Sequence, residues 1–241
     1  MAKYQIIPVT AFEQNCTVFW NEATGRGGIV DPGGDVARIQ AFLDSQGIQL
    51  DKILVTHGHL DHAGAVAALA KSHGLPIIGP HIDDKFWIDS MAEHAAQYGF
   101  PTTEAFEADQ WLVGGETVEV AGITFDVIHC PGHTPGHVVF YQPDDQVALV
   151  GDVLFKGSIG RTDFPKGDYQ QLIDSITQKL WPLGDAVTFI PGHGPTSTFG
   201  FERKTNPFVS DMVVGLAGFL CIRSLRRIVT KFCRPPIAPC V

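Results

Sequence analysis

The feature that most constrains this 241-residue chain is a cluster of metal-binding side chains directly after a short apolar segment at residues 52–55. His57, His59, Asp61 and His62 lie within six positions. Imidazole and carboxylate groups are ligands of zinc, iron and manganese, and a catalytic metal needs several of them at one point. The apolar segment is typical of a buried strand, and α/β proteins bind ligands where strands end. A polar turn with histidines by chance is the weaker alternative, so we predict a metal site here.

The same pattern occurs three more times along the chain: an apolar stretch, then glycine or proline, then a potential ligand. His133 follows the stretch at 123–128, Asp152 follows 147–150, and His193 follows 187–190. Glycine allows the sharp turns that let such side chains crowd together. With the first cluster they make seven candidate ligands, which is too many for one tetrahedral ion. The number suits two metals that share a carboxylate.

The motifs THGHLDH, PGHTPGH, GD and PGHGP, in this order, resemble the metallo-β-lactamase superfamily over about residues 3–211. The stretches VTAFEQNC, VDPGGD, HCPGHTPGHVVF, GDVLFKGSIGRTDFP and NPF resemble its short bacterial glyoxalase II type (hydroxyacylglutathione hydrolase-like) subgroup. The resemblance implies an α/β fold, the four-layer αββα sandwich with two sheets inside and helices outside. Hydrophobic periodicity alone would not separate this fold from other α/β folds.

The resemblance also implies two metal sites joined by one carboxylate. The implied ligands are His57, His59 and His133 for the first metal, Asp61, His62 and His193 for the second, and Asp152 as the bridge. We expect two divalent ions, zinc first, with iron or manganese as alternatives, because His/Asp ligation tolerates all three. Two dications can lower the pKa of a shared water from about 16 toward 7, which gives a hydroxide that attacks a carbonyl. Asp61 and Asp152 are the expected catalytic residues, Asp61 by orienting the nucleophile.

Three residues near the motifs each have two interpretations. His137 is expected to support a ligand rather than to be one, since the ligand set is already full. Asp31 resembles the family's aspartate that buttresses a ligand histidine, or it is a turn aspartate before proline. Arg161 occupies the position where glyoxalase II enzymes carry a basic residue that binds a glutathione carboxylate, or it forms an internal ion pair with Asp163.

Composition narrows the functional classes. A net charge of −9 disfavours nucleic acid as a partner, and 44% hydrophobic with 18% charged residues is typical of a globular chain. The N-terminus lacks a long apolar segment and the five cysteines show no spacing pattern, so we expect a cytoplasmic protein with reduced thiols. Cys130 is expected to be a small buried residue. His73, His81 and His94 carry no motif and are expected at the surface.

Two regions are expected: a hydrolase domain at residues 1–211 and an extension at 212–241. The extension has five Lys/Arg, no Asp or Glu, and three of the five cysteines. Its apolar run at 213–222 is about ten residues long, where a membrane span needs roughly 20. We expect weak order and no essential role. A basic membrane-surface helix is the alternative.

The chain should alternate between strands and helices. Helices are predicted at 36–43, with Asp35 as the N-cap, and at 61–72 and 169–180. Strands are predicted at 4–9, 17–20, 28–30, 53–56, 117–120, 123–128, 137–141, 146–150 and 186–190.

The leading functional hypothesis is hydrolysis of a small-molecule thioester of the hydroxyacylglutathione type, such as S-lactoylglutathione. A persulfide dioxygenase with one iron is the alternative, but those enzymes look like HADHxTG in the first motif, where this chain has HLDHAG at 59–64. A vestigial binding module is disfavoured by the complete ligand set. A lactamase or nuclease is disfavoured by the missing export signal and the acidic charge. The sequence leaves the oligomeric state open.

Overall fold

The computed structural model of the chain describes residues 2–220, with side chains as far as residue 215. Its strands form two large mixed sheets and a small ribbon. The first sheet has the order β1-β2-β3-β4-β5, and its strands are β1 (Ala2–Val9), β2 (Gln14–Asn21), β3 (Arg26–Val30), β4 (Gln49–Leu54) and β5 (Ile77–Ile78). Strands β3, β4 and β5 run parallel to one another, whereas β1, β2 and β3 form an antiparallel meander.

The second sheet has the order β13-β12-β9-β8-β7-β6. Strands β9 and β12 are parallel, and the other neighbouring strands are antiparallel. Its strands are β6 (Thr117–Val120), β7 (Ile123–His129), β8 (Val138–Gln142), β9 (Val147–Gly151), β12 (Thr188–Pro191) and β13 (Ser197–Thr198), and the ribbon consists of β10 (Leu154–Phe155) and β11 (Ser158–Ile159).

Helices connect the strands. They are α1 (Val36–Gln46), α2 (Leu60–Ala63), α3 (Val66–His73), α4 (Lys85–Asp89), α5 (Met91–Tyr98), α6 (Tyr169–Asp174), α7 (Phe199–Thr205) and α8 (Asp211–Leu220). Helix α6 continues as a π-helical segment, Ser175–Leu180, and short 3-10 turns occupy Ile82–Asp84 and Trp181–Leu183.

Three apolar layers separate the four layers of structure. One layer contains Ile39, Leu43 and Leu69 from helices α1 and α3 together with residues of the first sheet. Another packs Leu172 and Phe199 from α6 and α7 against the second sheet. The third lies between the two sheets and contains Phe19, Leu54, Phe125, Phe140 and Leu149. This stacking of helix, sheet, sheet and helix confirms the predicted αββα sandwich.

The central strands are apolar along their whole length because both of their faces are buried. In β8, Val138 and Phe140 face the layer between the sheets, while Val139 and Tyr141 face the outer helices. Side chains alternate between the faces of a strand, so a shift of one residue would exchange the two layers. The register that positions the strand ends is therefore fixed by packing.

Several predicted elements differ from the observed ones. The predicted helix at 61–72 is two helices, α2 and α3, separated at Gly64 and Ala65. The predicted strand at 53–56 is β4, which begins at Gln49 and ends at Leu54. Asp35 precedes α1 in a left-handed conformation (φ 50°) and makes no capping bond. Its carboxylate instead accepts a hydrogen bond from the Thr10 amide at 2.8 Å. The prediction of an Asp35 cap was therefore wrong.

Helix α8 contains the first nine residues of the predicted extension, and residues 221–241 lie outside the described residues. The division at residue 211 and the weak order of the extension stay predictions. Among residues 2–220, no helix is both long enough and apolar enough to cross a bilayer.

Phe125→Ala should destabilise the fold strongly, because Phe125 is fully buried between the sheets with its ring centroid 4.8 Å from that of Phe19. We expect urea denaturation to show a loss of about 3–5 kcal/mol in the free energy of unfolding. The control is Phe201→Ala, since Phe201 is 49% exposed and its loss should cost below about 1 kcal/mol. Equal losses in the two variants would contradict a core between the sheets.

Candidate metal centre

The seven candidate ligands lie where strands of both sheets end. His57, His59, Asp61 and His62 follow β4 of the first sheet, and the last two are in the short helix α2. In the second sheet, Asp152 comes directly after β9 and His193 follows β12. The loop between β7 and β8 carries His133. Because β9 and β12 are parallel neighbours, their carboxyl ends deliver Asp152 and His193 to the same edge.

Three of these histidines form one compact group. The Nδ1 atom of His59 lies 3.2 Å from Nε2 of His57 and 3.0 Å from Nε2 of His133. All three side chains are buried. A tetrahedral metal with bonds of about 2.0–2.1 Å has ligand atoms about 3.3 Å apart, so this spacing fits one ion held by three imidazoles.

Asp61, His62 and His193 form the second group of potential ligands. The Oδ2 atom of Asp61 lies 3.0 Å from Nε2 of His193 and 3.8 Å from Nε2 of His62. Both Asp61 and His62 are almost fully buried. This group has one carboxylate and two imidazoles, a donor set that also suits a divalent ion.

Asp152 lies between the two groups. Its Oδ1 atom is 3.3 Å from Nε2 of His62, and its Oδ2 atom is 3.6 Å from Nε2 of His133. The same Oδ2 atom is 3.9 Å from Nε2 of His193. The carboxylate therefore reaches ligand atoms of both groups, as a bridging ligand would.

Hydrogen bonds fix which nitrogen carries the proton in two rings of the first group, His57 and His133. Nδ1 of His133 lies 2.8 Å from the carbonyl oxygen of Arg161, which can only accept, so Nδ1 carries the proton. Nδ1 of His57 lies 3.0 Å from the Thr56 hydroxyl, which donates its own proton to Asp31 and so accepts from the ring. In both rings the lone pair is consequently on Nε2, which points into the group.

The rings of the second group are oriented in the same way. Nδ1 of His62 lies 2.9 Å from the Asp31 carboxylate, and Nδ1 of His193 lies 3.1 Å from the carbonyl oxygen of Phe12. Each partner accepts the Nδ1 proton, so in the neutral rings both Nε2 lone pairs face Asp61 and Asp152. The Nε2 lone pairs of these four histidines thus point to the centre, which is the arrangement that metal coordination requires.

Buried atoms at the centre lack ordinary hydrogen bonds. Nε2 of His62, Oδ2 of Asp61 and Oδ1 of Asp152 are inaccessible to solvent and have no hydrogen-bond partner among the described residues. Unpaired polar groups of this kind are costly to bury. Metal coordination would satisfy all three, so the residues fit a metal centre.

The electrostatics of the centre favour positive charge. Burial opposes protonation of His62, but the carboxylates of Asp152 and Asp61 outweigh it and raise the pKa of His62 to about 10. Burial, followed by the neighbouring imidazoles, lowers the pKa of His57 well below its usual value. The first group therefore stays neutral and able to bind a metal, while the carboxylates attract a cation.

His137 occupies a supporting position. Its Nε2 atom accepts a hydrogen bond from the Asp152 amide at 3.1 Å, and its ring stacks on that of His57 with centroids 4.6 Å apart. The Nε2 lone pair is therefore used by the backbone, and His137 belongs to none of the ligand groups among the described residues. Its contacts orient Asp152 and His57.

Asp31 contacts both ends of the first motif, Thr56 and His62. Its carboxylate accepts from the Thr56 amide at 2.7 Å and from the Thr56 hydroxyl at 2.6 Å, in addition to the His62 ring. Asp31, His57 and His62 are close enough to form a third ligand group, but their Nδ1 atoms are already hydrogen bonded. Of the two interpretations of Asp31, these contacts favour the buttress.

Arg161 lies at the rim of the centre. Its guanidinium forms two hydrogen bonds to Asp163, at 2.9 and 3.0 Å, and lies 4.4 Å from the centroid of the Phe164 ring. That ring is 4.9 Å from the ring of His59 and 5.7 Å from that of His133. The ion pair with Asp163 is thus present, and the Phe164 ring contacts both the guanidinium and the three-histidine group.

Gly192 is required at its position by the close approach of two ligands. A Cβ atom there would lie 2.0 Å from Oδ1 of Asp152 and 2.5 Å from Cε1 of His62. Any larger residue would push the Asp152 carboxylate out of place. The glycine of the PGHGP motif thus lets the backbone before His193 contact the centre directly.

The other sequence predictions have mixed outcomes. Cys130 is a buried free thiol, and burial raises its pKa to about 12, as expected for an inert apolar residue. His73 is exposed, but His81 and His94 are only half-buried at the surface. The ring of His81 stacks on His129 with centroids 4.5 Å apart, and the ring of His94 lies 5.4 Å from that of Trp87.

Sequence reasoning missed two residues that brace the ligand loops. The Asn15 side chain donates to the carbonyl oxygens of Pro191 and Gly194 at 3.0 and 2.8 Å, on either side of His193. Asp84 is fully buried and accepts hydrogen bonds from the first two ligand loops. Asn15 lies in a stretch that resembled the family, whereas Asp84 is in a polar segment without a motif.

Comparison with known proteins agrees with this geometry. Residues 9–193 match the metallo-β-lactamase superfamily domain. The chain is 45% identical over 207 residues to hydroxyacylglutathione hydrolase GloC of Haemophilus influenzae. The aligned region covers 86% of this chain and 97% of the relative. Among solved structures, BLEG-1 B3 metallo-β-lactamase superposes with a TM-score of 0.80 at 36% identity, covering 86% of this chain and 99% of that one.

A second solved structure, TTHA1623 in a di-iron-bound form, superposes with a TM-score of 0.76 at 33% identity, covering 85% of this chain and all of that one. The sequence match, the sandwich and the buried His/Asp groups agree with one another. The chain belongs to the metallo-β-lactamase superfamily and is a metallo-hydrolase of that superfamily.

Proposed function

We propose that this chain is a metal-dependent thioesterase that hydrolyses hydroxyacylglutathiones such as S-lactoylglutathione. The observation that carries the proposal is the pair of ligand groups joined by Asp152. The choice of substrate class is supported by the 45% identity to hydroxyacylglutathione hydrolase GloC. The match spans 97% of the GloC relative and 86% of this chain.

The proposed centre binds two divalent cations, zinc by preference. His57, His59 and His133 hold the first, Asp61, His62 and His193 hold the second, and Asp152 is shared. When bound, the cations supply the Lewis acidity that generates hydroxide near neutral pH and polarises a carbonyl group. Iron is the alternative metal, since a solved structure 33% identical to this chain is a di-iron form.

The protein's own residues set the geometry of the attack. Asp61 and Asp152 converge on the second group, where a carboxylate can accept a hydrogen bond from the nucleophile and fix its direction. The histidine Nδ1 protons are committed to Thr56, Asp31, Phe12 and Arg161, so the rings are held as ligands rather than as proton donors. A thiolate leaving group needs little protonation, and a thioester therefore suits a centre of this kind.

Arg161 is the proposed contact for a glutathione carboxylate. Its partner Asp163 is exposed, and an exposed ion pair contributes little to stability. A substrate carboxylate could therefore replace Asp163 at small cost and bind the guanidinium through two hydrogen bonds. The Phe164 ring beneath the guanidinium holds it at the rim of the three-histidine group.

β-Lactam hydrolysis is the second candidate function, because BLEG-1 B3 metallo-β-lactamase is 36% identical to this chain. Both reactions use hydroxide against a carbonyl, and they differ in the leaving group and in the contacts around it. Parallel assays of S-lactoylglutathione and a chromogenic cephalosporin would rank the two. The proposal fails if the lactam is the better substrate by kcat/KM, or if one iron binds and oxygen is consumed with a persulfide.

Metal analysis of the purified protein should find about two divalent ions per chain. Removal of both by a chelator should abolish thioester hydrolysis and lower the melting temperature, because the buried carboxylates of Asp61 and Asp152 would then share only the charge of a protonated His62. Elemental analysis and differential scanning calorimetry before and after dialysis test this. Addition of Zn²⁺ should restore both properties. A metal-free protein with full activity would refute the centre.

Asp152→Ala and His59→Ala should each reduce kcat/KM for S-lactoylglutathione by at least about 10³-fold, since each removes a proposed ligand. Circular dichroism should show unchanged secondary structure, because neither residue belongs to an apolar core layer. His73→Ala is the control, since His73 is exposed. Retention of the wild-type rate in either ligand variant would contradict the assignment.

Arg161→Ala should raise KM for S-lactoylglutathione about 10-fold and change kcat by less than about 3-fold, because a remote carboxylate contact contributes to binding rather than to chemistry. Arg203→Ala is the matched control, as Arg203 also pairs with exposed carboxylates but lies on α7. Steady-state kinetics with S-lactoylglutathione and with a thioester that lacks the carboxylates test this. An equal effect on both substrates would assign Arg161 a structural role.

A further inference from the structure

A buried carboxylate outside the ligand loops connects the two loops that carry the three-histidine group. Asp84 is fully buried at the end of the 3-10 turn Ile82–Asp84. Its Oδ2 atom accepts from the Gly58 amide at 2.9 Å and from the Thr134 hydroxyl at 2.7 Å. Its Oδ1 atom accepts from the Gly136 amide at 2.6 Å. One side chain thus joins two separate loops to its own segment.

Two of the three donors lie directly next to ligands of the first group. Gly58 is between His57 and His59, and Thr134 directly follows His133. Within the part of the chain that the structure describes, the hydrogen bonds of Asp84 go to none of Asp61, His62 and His193. A displacement of the Asp84 carboxylate would therefore act most directly on the first group, because His62 of the second group lies in helix α2 and is held by Asp31, and His193 lies in a different loop.

Packing makes this contact specific to its partners. A Cβ atom at Gly136 would lie 2.7 Å from Cγ of Asp84. The carboxylate therefore fits only because the TPGH motif has a glycine at this position. The segment is held further by a hydrogen bond from the His81 amide to the Gly136 carbonyl oxygen at 3.0 Å. One turn later, the ring of Trp87 lies 4.5 Å from that of His59.

Asp84 uses its oxygens as hydrogen-bond acceptors rather than as one half of an ion pair. Among residues 2–220 no lysine or arginine forms an ion pair with it. Burial raises the pKa of Asp84 to about 6, although its three hydrogen bonds oppose the rise. At pH 7.5 the group is therefore ionised and accepts from all three donors. An asparagine would present an NH₂ group to at least one of them.

We propose that Asp84 is a positioning residue that sets the metal affinity of the three-histidine site selectively. It holds the loops of His57, His59 and His133 at the separation that one ion requires. This inference rests on the metal-binding part of the proposed function and adds a residue outside the metal-ligand motifs. Outer contacts of this kind typically change metal affinity by about 10–100-fold when they are removed.

The test is site-resolved metal binding by Asp84→Asn. Apo-protein is titrated with Zn²⁺ against a chromophoric chelator, and anomalous diffraction from crystals grown at limiting Zn²⁺ gives the occupancy of each site. We expect Kd at the three-histidine site to rise at least about 10-fold, while Kd at the Asp61 site changes by less than about 3-fold. A residue that only stabilised the fold would lower the melting temperature without separating the two sites.

Two further variants keep the result interpretable. Asp83→Asn is the matched control, because Asp83 is adjacent but exposed, and its affinities should equal those of the wild type. Thr134→Val removes one of the three donors without a change in shape, so it should weaken the same site by a smaller factor, even if Asp84→Asn does not fold. Unchanged affinities in folded Asp84→Asn, equal losses at both sites, or wild-type affinities in Thr134→Val would overturn the inference. A wild-type protein that binds no Zn²⁺ would instead overturn the proposed function.

Discussion

A buried carboxylate without a counter-charge is among the most costly groups that a fold can contain. Asp61 and Asp152 are both buried, and no lysine or arginine of the described residues forms an ion pair with either. The imidazoles around them present lone pairs, because their Nδ1 protons are donated outward. Protonation of His62 supplies one positive charge for two buried carboxylates, so the arrangement still favours added cations. The folded chain thus favours cation binding, and the surrounding structure holds the carboxylates and imidazoles in place.

The two sheets make this arrangement possible because each supplies part of the centre. The first sheet delivers its ligands after β4, and the second delivers Asp152 and His193 from two parallel strands. The layer around Phe19 and Phe125 sets the distance between the sheets. Since strands such as β8 are buried on both faces, their register cannot shift without exchanging two apolar layers. The positions of the candidate ligands therefore follow from core packing outside the candidate metal centre.

This dependence explains which features could be predicted from the sequence. The ligand residues are chemically distinctive and follow apolar strands, so their clustering could be inferred before their distances were known. The interruption between α2 and α3 could not, because the approach of the Gly33 carbonyl oxygen to Gly64 is a tertiary contact. Asp84 was also missed, since its partners Gly58, Thr134 and Gly136 are 26 to 52 positions away. The polar sequence around it is typical of a surface turn.

The metal centre and the selection of substrate are physically connected in this fold. The ligand set alone does not separate a thioester from a lactam, so discrimination must come from residues that line the approach to the metals. Trp87 and Phe164 provide such a surface beside His59, and Arg161 adds a charge to it. Trp87 lies one turn after Asp84, in the segment that braces the three-histidine loops. We therefore expect a substitution in that segment to change substrate selectivity and metal affinity together.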